Sequence, residues 1–139
     1  MKKKLQVCIN AILTFLLGSV GLTCCMCKYG VPYAEFNAEG LVTDQETGEP
    51  IENIRVQLKE SGYYVTPEVY TDENGKYVFD RTIDFPFDSI DIIAQDTAGV
   101  YEADSVRVGI IYEKQKGSKN DEWYTGGAFV YQDFKLKKK

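Results

Sequence analysis

The chain has 139 residues, with 16 Lys and Arg against 21 Asp and Glu, which gives a net charge of −5, and it contains no histidine. The acidic balance excludes nucleic acid as an expected partner, because negative charge repels the phosphate backbone. The missing histidine removes the commonest general base and the base of every Ser-His or Cys-His nucleophile pair. Catalysis would therefore depend on carboxylates alone.

The first 24 residues have the pattern of an export signal. Lys2, Lys3 and Lys4 precede an apolar stretch at residues 5–22, and three cysteines follow directly. A basic start, an apolar run and small residues before a cut are typical of a segment that is removed after export. With its cysteines the segment resembles a bacterial lipoprotein signal, and we expect residues 25–35 to form the tether of a lipid-anchored protein. A retained membrane helix and a secretory peptide without lipid are the alternatives.

Cys24, Cys25 and Cys27 compete for the lipid. The lipoprotein peptidase takes a branched apolar residue three places before the cysteine, and Leu22 has that position relative to Cys25. Cys25 is therefore the predicted lipidation site, with Cys24 and Cys27 as rivals. A zinc site is disfavoured because tetrahedral zinc takes four ligands and the chain has no histidine and no further cysteine pair. No cofactor is expected.

Loss of the signal removes three lysines and leaves 13 basic against 21 acidic residues, a net charge of −8. Residues 36–139 are long enough for one hydrophobic core and too short for two, so we expect a single domain. The first strand is predicted at residues 36–43, and it ends in a turn where Gly48 can take a positive φ. Ile54, Val56 and Leu58 then alternate with polar residues, which is the pattern of a strand with one buried face.

A third strand is predicted at residues 65–71, where Pro67 indicates a sheet edge or a bulge because proline cannot donate to the ladder. Asn74 and Gly75 follow, and this pair is the strongest short-range signal for a hairpin with a type I′ turn. The fourth strand begins with Tyr77. Three more candidates complete the set of seven predicted strands, at residues 89–94, 105–112 and 127–136. Short strands, frequent turns and no helical periodicity predict an all-β sandwich.

Three segments of this domain carry a family resemblance: GLVTD at residues 40–44, TGEPI at residues 47–51 and TDENGKY at residues 71–77. In this order they resemble the carboxypeptidase regulatory-like domain. The resemblance implies a transthyretin-like, seven-stranded Greek-key β-sandwich. It also implies an absence of the metallopeptidase residues of the enzymes that this domain accompanies.

A second resemblance covers most of the chain. It involves CKYGVPYA at residues 27–34, AQDTAG at residues 94–99 and the late pair Trp123-Tyr124. These segments are similar to the radical SAM-associated lipoproteins of the bacterial envelope. In most of that family the segment after the signal reads Cys-x-Tyr-Gly-x-Pro, which makes Cys27 a serious rival of Cys25. The family name records a gene neighbourhood, so the resemblance implies an anchored sandwich with no known reaction.

Acidic residues allow two further hypotheses. A pair of carboxylates can hydrolyse glycosidic bonds when their separation and environments differ suitably. A loop of oxygen ligands can bind calcium, but solvated acids that keep the protein soluble are the ordinary case. The candidates for the pair fall in two clusters, one of Asp84, Asp88 and Asp91 and the other of Asp96, Glu102 and Asp104, and the second cluster also supplies the candidates for calcium.

Aromatic side chains provide the candidate binding surface, which consists of Tyr63, Tyr64, Trp123 and Tyr124. Such rings supply contact area at low entropic cost in the recognition of proteins and sugars. For Trp123 the alternative, which we expect, is packing in the core or at its edge, at the start of the last strand.

The sequence therefore predicts a non-enzymatic, lipid-anchored β-sandwich at residues 36–139, in the bacterial cell envelope. It would lie on the periplasmic face of the inner membrane or on either face of the outer membrane, held by acyl chains such as palmitate. Each buried CH₂ contributes about 0.8 kcal/mol to such an anchor. The expected partner is a protein or a glycan. Alternative roles are a carbohydrate-binding module and a substrate or accessory protein of a radical SAM enzyme.

Overall fold

A computed structural model describes residues 30–60, 66–114 and 121–139, and the β-sandwich unit is Val31–Lys139. The described residues form eight strands and contain no helix, so the all-β prediction is confirmed. In chain order the strands are β1 (Tyr33–Asp44), β2 (Ile54–Lys59), β3 (Glu68–Tyr70), β4 (Lys76–Asp84), β5 (Ser89–Asp96), β6 (Asp104–Gly109), β7 (Tyr124–Tyr131) and β8 (Phe134–Leu136).

The strands form two four-stranded sheets that face each other across the core. Sheet I has the order β4-β1-β7, with β8 also paired to β1, and sheet II has the order β3-β2-β5-β6. Strand β2 pairs with β5 although β3 and β4 intervene in the sequence, because the chain passes from sheet to sheet between them. This long-range pairing gives the expected Greek-key β-sandwich.

The core lies between the inner faces of the two sheets. Alternate residues of β1 point inward, among them Phe36 and Val42, and they meet Ile92 and its neighbours from β5. The Phe36 ring packs edge-on against Phe87, with 5.7 Å between the ring centroids. Full burial of such a side chain contributes about 1.5–3 kcal/mol, so the core supplies the main stabilisation of the domain.

Strand β1 is the centre of sheet I. It pairs antiparallel with β4 on one side, and parallel with β7 and then β8 on the other. It begins at Tyr33, three residues earlier than predicted, so residues 33–35 belong to the strand and not to an extended tether.

The last predicted strand is divided into β7 and β8 by a break at Gln132 and Asp133. The register against β1 is the same on both sides of the break, since Tyr131 lies opposite Glu39 and Phe134 lies opposite Val42. At the break the Asp133 carboxylate accepts a hydrogen bond from the Leu41 amide at 2.7 Å. The Asp133 side chain thus replaces the backbone carbonyl that would accept this bond in a regular ladder. The regular pairing is interrupted there, which is why one predicted strand appears as two.

Gly40 lies beside this break. The Gln132 carbonyl accepts a hydrogen bond from the Tyr77 hydroxyl at 2.6 Å. A Cβ atom on Gly40 would lie only 1.7 Å from that carbonyl oxygen. Only glycine therefore allows the close approach of the two chains at this point.

The predicted hairpin at Asn74-Gly75 is wrong. Gly75 has a positive φ of 70°, whereas Asn74 is not among the residues with positive φ, so the turn is not type I′. The strands on either side, β3 and β4, lie in different sheets. Local turn chemistry fixes a reversal of the chain but not the sheet that the next strand joins. The prediction of an edge position for the strand near Pro67 is confirmed, because β3 is the edge of sheet II.

The sandwich has two ends. We call the end that holds Tyr33, the start of β1, and Ser89, the start of β5, the tether end. We call the end that holds Asp44 and Asp96, where these strands finish, the distal end. Pairing of β1 with β4 and of β2 with β5 fixes which loops share an end within each sheet, and the hydrogen bond from the Tyr101 hydroxyl to Asp44 joins the two sheets at the distal end.

Candidate functional site

Five of the predicted site residues lie outside the described residues. They are the three candidates for lipidation, Cys24, Cys25 and Cys27, and two of the aromatic surface, Tyr63 and Tyr64. Among the described residues there is no helix of the length and apolar character needed to cross a membrane.

Trp123 and Tyr124 have opposite environments. Trp123 precedes β7 and is 44% exposed, so the expectation that it packs in the core is wrong. Tyr124 is buried, with its ring 5.4 Å from the Tyr33 ring and its hydroxyl donating to Glu35 at 3.4 Å. Burial, and then the Glu35 carboxylate, raise the pKa of Tyr124. Trp123 alone of the pair can belong to a binding surface.

Four large apolar side chains are exposed at the tether end, and we call them the tether-end cluster: Val31, Phe85, Ile111 and Trp123. A backbone hydrogen bond from the Ile110 amide to the Asp88 carbonyl at 2.8 Å holds the segment of Ile111 at this end, and two others bring together the segments of Val31, Phe85 and Trp123. The Tyr33 amide donates to the Trp123 carbonyl at 2.9 Å, and the Phe85 amide donates to the Pro32 carbonyl at 2.7 Å. Ile111 is the most exposed of the four, at 80%.

Phe85 has an unusual backbone conformation. Its φ is +52°, which a bulky L-residue rarely adopts, and its ring is exposed. Such a conformation costs free energy and persists where the surroundings hold it. The bond from Phe85 to Pro32 is one such constraint, because it ties the turn after β4 to the segment that enters β1.

A second apolar surface, which we call the sheet I face, lies on the outer side of β4, β1 and β7. Neighbouring strands present Leu41, Val78, Phe129 and Tyr131 to solvent. Phe129 and Tyr131, at 66% and 59% exposure, are two residues apart on β7 and so project from the same side. The predicted surface did not include them.

Polar groups lie between these apolar residues. Glu39 separates Val78 from Tyr131 across the strands and forms a 3.3 Å ion pair with Lys76. The negative charge of Asp133, followed by burial and a hydrogen bond to that carboxylate, raises the pKa of Tyr131. The sheet I face therefore combines aromatic rings with hydrogen-bonding groups.

The calcium candidates have structural contacts. Asp96 caps the turn after β5, since its carboxylate accepts hydrogen bonds from the amides of Ala98, Val100 and Tyr101 at 2.9, 2.7 and 3.1 Å. Burial acts to raise the pKa of Asp96, but these amides outweigh it and the pKa is lowered. In residues 30–60, 66–114 and 121–139, no group of three or more Cys, Asp or Glu side chains is placed to hold a metal ion.

The candidate catalytic carboxylates include one clear ion pair. Asp91 accepts two hydrogen bonds from Arg107 on the neighbouring strand β6, at 2.7 and 2.8 Å. These bonds hold the pKa of Asp91 below its ordinary value. The arrangement is that of a cross-strand pair on the outer side of sheet II.

The structure reveals a buried carboxylate that the sequence did not single out. Asp44 is 3% exposed, and one of its oxygens accepts hydrogen bonds from the Glu46 and Thr47 amides at 2.8 and 3.2 Å. The other oxygen accepts from the Tyr101 hydroxyl at 3.0 Å and forms an ion pair with Lys138 at 3.1 Å. The two amides first, and Lys138 and Tyr101 with them, lower the pKa of Asp44 to about 2.

Asp44 therefore joins three segments at the distal end: the turn after β1, the loop after β5 and the segment after β8. Both carboxylate oxygens are satisfied, which is the condition for a stable buried charge. The available sequence signal was an aspartate directly before a turn, in the segment from Asp44 to Gly48.

Comparison with known proteins shows the fold. No family model matches the chain, and no curated protein sequence matches it significantly. Among solved structures, 3-chlorocatechol 1,2-dioxygenase from Rhodococcus opacus has 13% identity and a TM-score of 0.53, over 82% of this chain and 63% of that one. The TIE protein of Bacillus anthracis has 12% identity and a TM-score of 0.51, over 76% of this chain and 18% of that one.

Catechol 1,2-dioxygenase from Pseudomonas arvilla has 12% identity and a TM-score of 0.50, over 82% of this chain and 54% of that one. The chain thus spans less than two thirds of each of these proteins. At these identities the likeness extends to the β-sandwich and not to an activity.

Proposed function

We propose that this chain is a non-enzymatic lipoprotein of the bacterial envelope whose β-sandwich binds a protein or glycan partner at the membrane surface. The anchor is supported by the basic start, the apolar run at residues 5–22 and the cysteines that follow it. Cys25 is the proposed lipidated residue, with Cys27 and Cys24 as rivals. The membrane is the inner membrane, on its periplasmic face, or the outer membrane.

The single observation that carries the binding role is the sheet I face. Exposed apolar side chains grouped on one surface of a small domain, with polar groups among them, are typical of interaction sites. Phe129 and Tyr131 are the expected anchors, because aromatic side chains contribute most of the binding energy at such sites. Membrane anchoring raises the effective concentration of the domain near envelope partners.

Mass spectrometry of the processed N-terminus tests the anchor. Protein from its native host is compared with variants in which Cys24, Cys25 and Cys27 are replaced by Ala one at a time. Loss of the lipid mass in the Cys25→Ala variant alone is the expected result. Lipid that is missing from the unmodified protein would refute the anchor, and retention in every single variant would refute the assignment to one cysteine.

Carbohydrate binding is the second candidate, and the spacing of Phe129 and Tyr131 favours it. Two rings on one side of a strand lie about 7 Å apart, which allows each to stack on a sugar unit of one chain. Pull-down of the protein by insoluble polysaccharides tests this role. Binding that is lost in Phe129→Ala and Tyr131→Ala but kept in Val78→Ala is expected for a stacking site, and equal binding by all three would contradict it.

Membership of the radical SAM-associated lipoproteins is part of the same proposal, supported by the segment at residues 27–34 and by Trp123-Tyr124. A role as substrate of such an enzyme predicts a mass change within residues 31–139. The intact mass of the protein is measured from hosts with and without the radical SAM enzyme. A mass difference between the two indicates a substrate, and equal masses indicate an accessory protein.

A further inference from the structure

We infer that the tether end of the sandwich lies against a phospholipid bilayer with zwitterionic headgroups, and that the tether-end cluster makes the contact. This inference rests on the proposed lipid anchor. It assigns to Val31, Phe85, Ile111 and Trp123 a role distinct from that of the sheet I face, which remains free for a partner.

Apolar side chains are grouped where the chain enters the sandwich. Hydrogen bonds place Trp123 beside Tyr33, and Phe85 beside Pro32, so both exposed rings flank the first residues of β1. Val31 lies directly in the entering segment. Trp and other amphipathic aromatic side chains concentrate at the membrane–water boundary, where one part of the ring meets lipid and another meets water.

The chain between the proposed lipid and this end is short. From Cys25 to Val31 there are six residues, which span at most about 22 Å even when fully extended. From the rival Cys27 there are four residues, or about 14 Å at most. The lipid thioether therefore keeps Val31 within that distance of the headgroups, whichever of the two cysteines carries it.

Phe85 also favours a covering surface at this end. Its positive φ and exposed ring make it unfavourable for the isolated domain, because the conformation costs free energy and the ring contacts water. A ring held outward at the point where the chain enters β1 gains burial only if another surface covers it. A bilayer within reach of the tether is such a surface.

The charge of this end selects the type of lipid. Among the described residues of this end, the exposed charged ones are mostly acidic: Asp84, Asp88, Glu113 and Glu122, against Lys59 and Lys114. Negative charge repels anionic headgroups, whereas the ammonium of phosphatidylethanolamine is a cation that carboxylates can pair with. The cluster therefore fits a zwitterionic surface better than an anionic one.

The chain carries its own probe, because Trp123 is its single tryptophan. The processed lipoprotein, purified from its host, is reconstituted into vesicles of phosphatidylcholine and phosphatidylethanolamine with and without acyl chains brominated near the headgroup. Bromine quenches a tryptophan only on close approach. We expect a blue shift of the emission and loss of about half of its intensity in the brominated vesicles, as for an indole at the interface.

Two double variants separate the tether end from the sheet I face. Phe85→Ser with Ile111→Ser should reduce the quenching of Trp123, whereas Phe129→Ser with Tyr131→Ser, which removes equally exposed apolar side chains elsewhere, should leave it unchanged. Circular dichroism confirms that each variant is folded. Equal quenching in both double variants would overturn the assignment of the contact to the cluster.

The outcomes distinguish this inference from the anchor itself. Protein that carries the lipid by mass but shows no quenching would overturn the inference and leave the proposed lipoprotein intact, with the cluster available to a protein partner. Protein without lipid would refute the anchor first. Stronger quenching in vesicles of phosphatidylglycerol than in zwitterionic vesicles would overturn the selection by charge.

Discussion

The two ends of the sandwich differ in the contacts of their polar side chains and in the apolar side chains that they expose to solvent. At the distal end, three carboxylates accept hydrogen bonds from nearby backbone amides: those of Asp44, Asp72 and Asp96. Asp44 also forms an ion pair with Lys138. At the tether end, apolar side chains such as Trp123 project into solvent. The distal end exposes Val100 in the turn that Asp96 caps, whereas the tether end groups four large apolar side chains that a second surface can cover.

This difference indicates separate roles for the two ends. Satisfied polar groups stabilise a fold but offer little to a partner, and exposed apolar side chains do the reverse. Substitutions at the distal end should therefore change stability, and substitutions at the tether end should change surface contacts. The four predictions below test this separation.

The largest effect is expected for Gly40→Ala, at the point where β7 gives way to β8 and the chain continues towards the distal end. The new methyl group would overlap the Gln132 carbonyl and displace the Tyr77 hydroxyl that bonds to it. We expect a loss of about 3 kcal/mol in the free energy of unfolding, measured by urea denaturation. Gly109→Ala is the control, since nothing lies within 4 Å of a Cβ there. Equal losses in the two variants would contradict the steric explanation.

The next effect is expected for Asp44→Asn. The substitution keeps an oxygen that accepts from the Glu46 and Thr47 amides. The new NH₂ group faces the Lys138 ammonium, and because both groups are donors no hydrogen bond can form between them. We expect the Tm to fall by roughly 5–10 °C. In the matched variant Asp72→Asn one oxygen still serves the Asn74 and Lys76 amides, so its Tm should change little. A larger fall for Asp72→Asn would show that the ion pair is not the stabilising element.

Acid should lower the stability of the distal end. The pKa of Asp44 is lowered from 3.8 to about 2 in the folded protein, and that of Asp96 is also lowered. A depressed folded-state pKa contributes stability that is present above the unfolded value and lost as the pH falls through the folded value. Unfolding measured from pH 5 to pH 2 should therefore show a decline below about pH 4. The decline should be smaller in Asp44→Asn, and an unchanged slope there would disprove the role of this carboxylate.

The smallest effect on stability is expected for Phe85→Gly, at the tether end. Glycine adopts the positive φ without a Cβ clash, so the folded state loses its backbone strain. This gain in free energy offsets the larger conformational entropy of glycine in the unfolded chain. We expect the free energy of unfolding to stay within about 0.5 kcal/mol of the original. Phe87→Gly, two residues later, removes a ring that packs on Phe36 and should cost far more. Similar losses for both would mean that the exposed ring stabilises the isolated domain.

Local pattern predicted the strands well where one face is buried. Ile54, Val56 and Leu58 alternate with polar residues, and all three are in the core. The sequence did not reveal the faces of β7, because almost all of its residues are apolar or small. Either set of alternate residues along β7 could therefore form the buried face. Only the pairing with β1 decides that Ala128 points inward and Phe129 outward.

The distal contacts could not be predicted because they join residues far apart in sequence. Asp44 and Tyr101 are 57 positions apart, and Lys138 is still further along the chain. Each residue is ordinary by itself, an aspartate before a turn and a lysine near the chain end. Their association depends on which strands share an end of the sandwich, and turn signals do not contain that information.

The position of β1 between two partners has a mechanical consequence. A lipid anchor would apply tension at the start of this strand, and β1 is hydrogen-bonded to β4 over Tyr33–Leu41 and to β7 and β8 over most of its length on the other side. Force along the strand axis loads these bonds in shear, so they must fail together rather than one after another. A partner that binds the sheet I face and pulls away from the membrane would therefore meet resistance from the pairing of β1 on both of its sides.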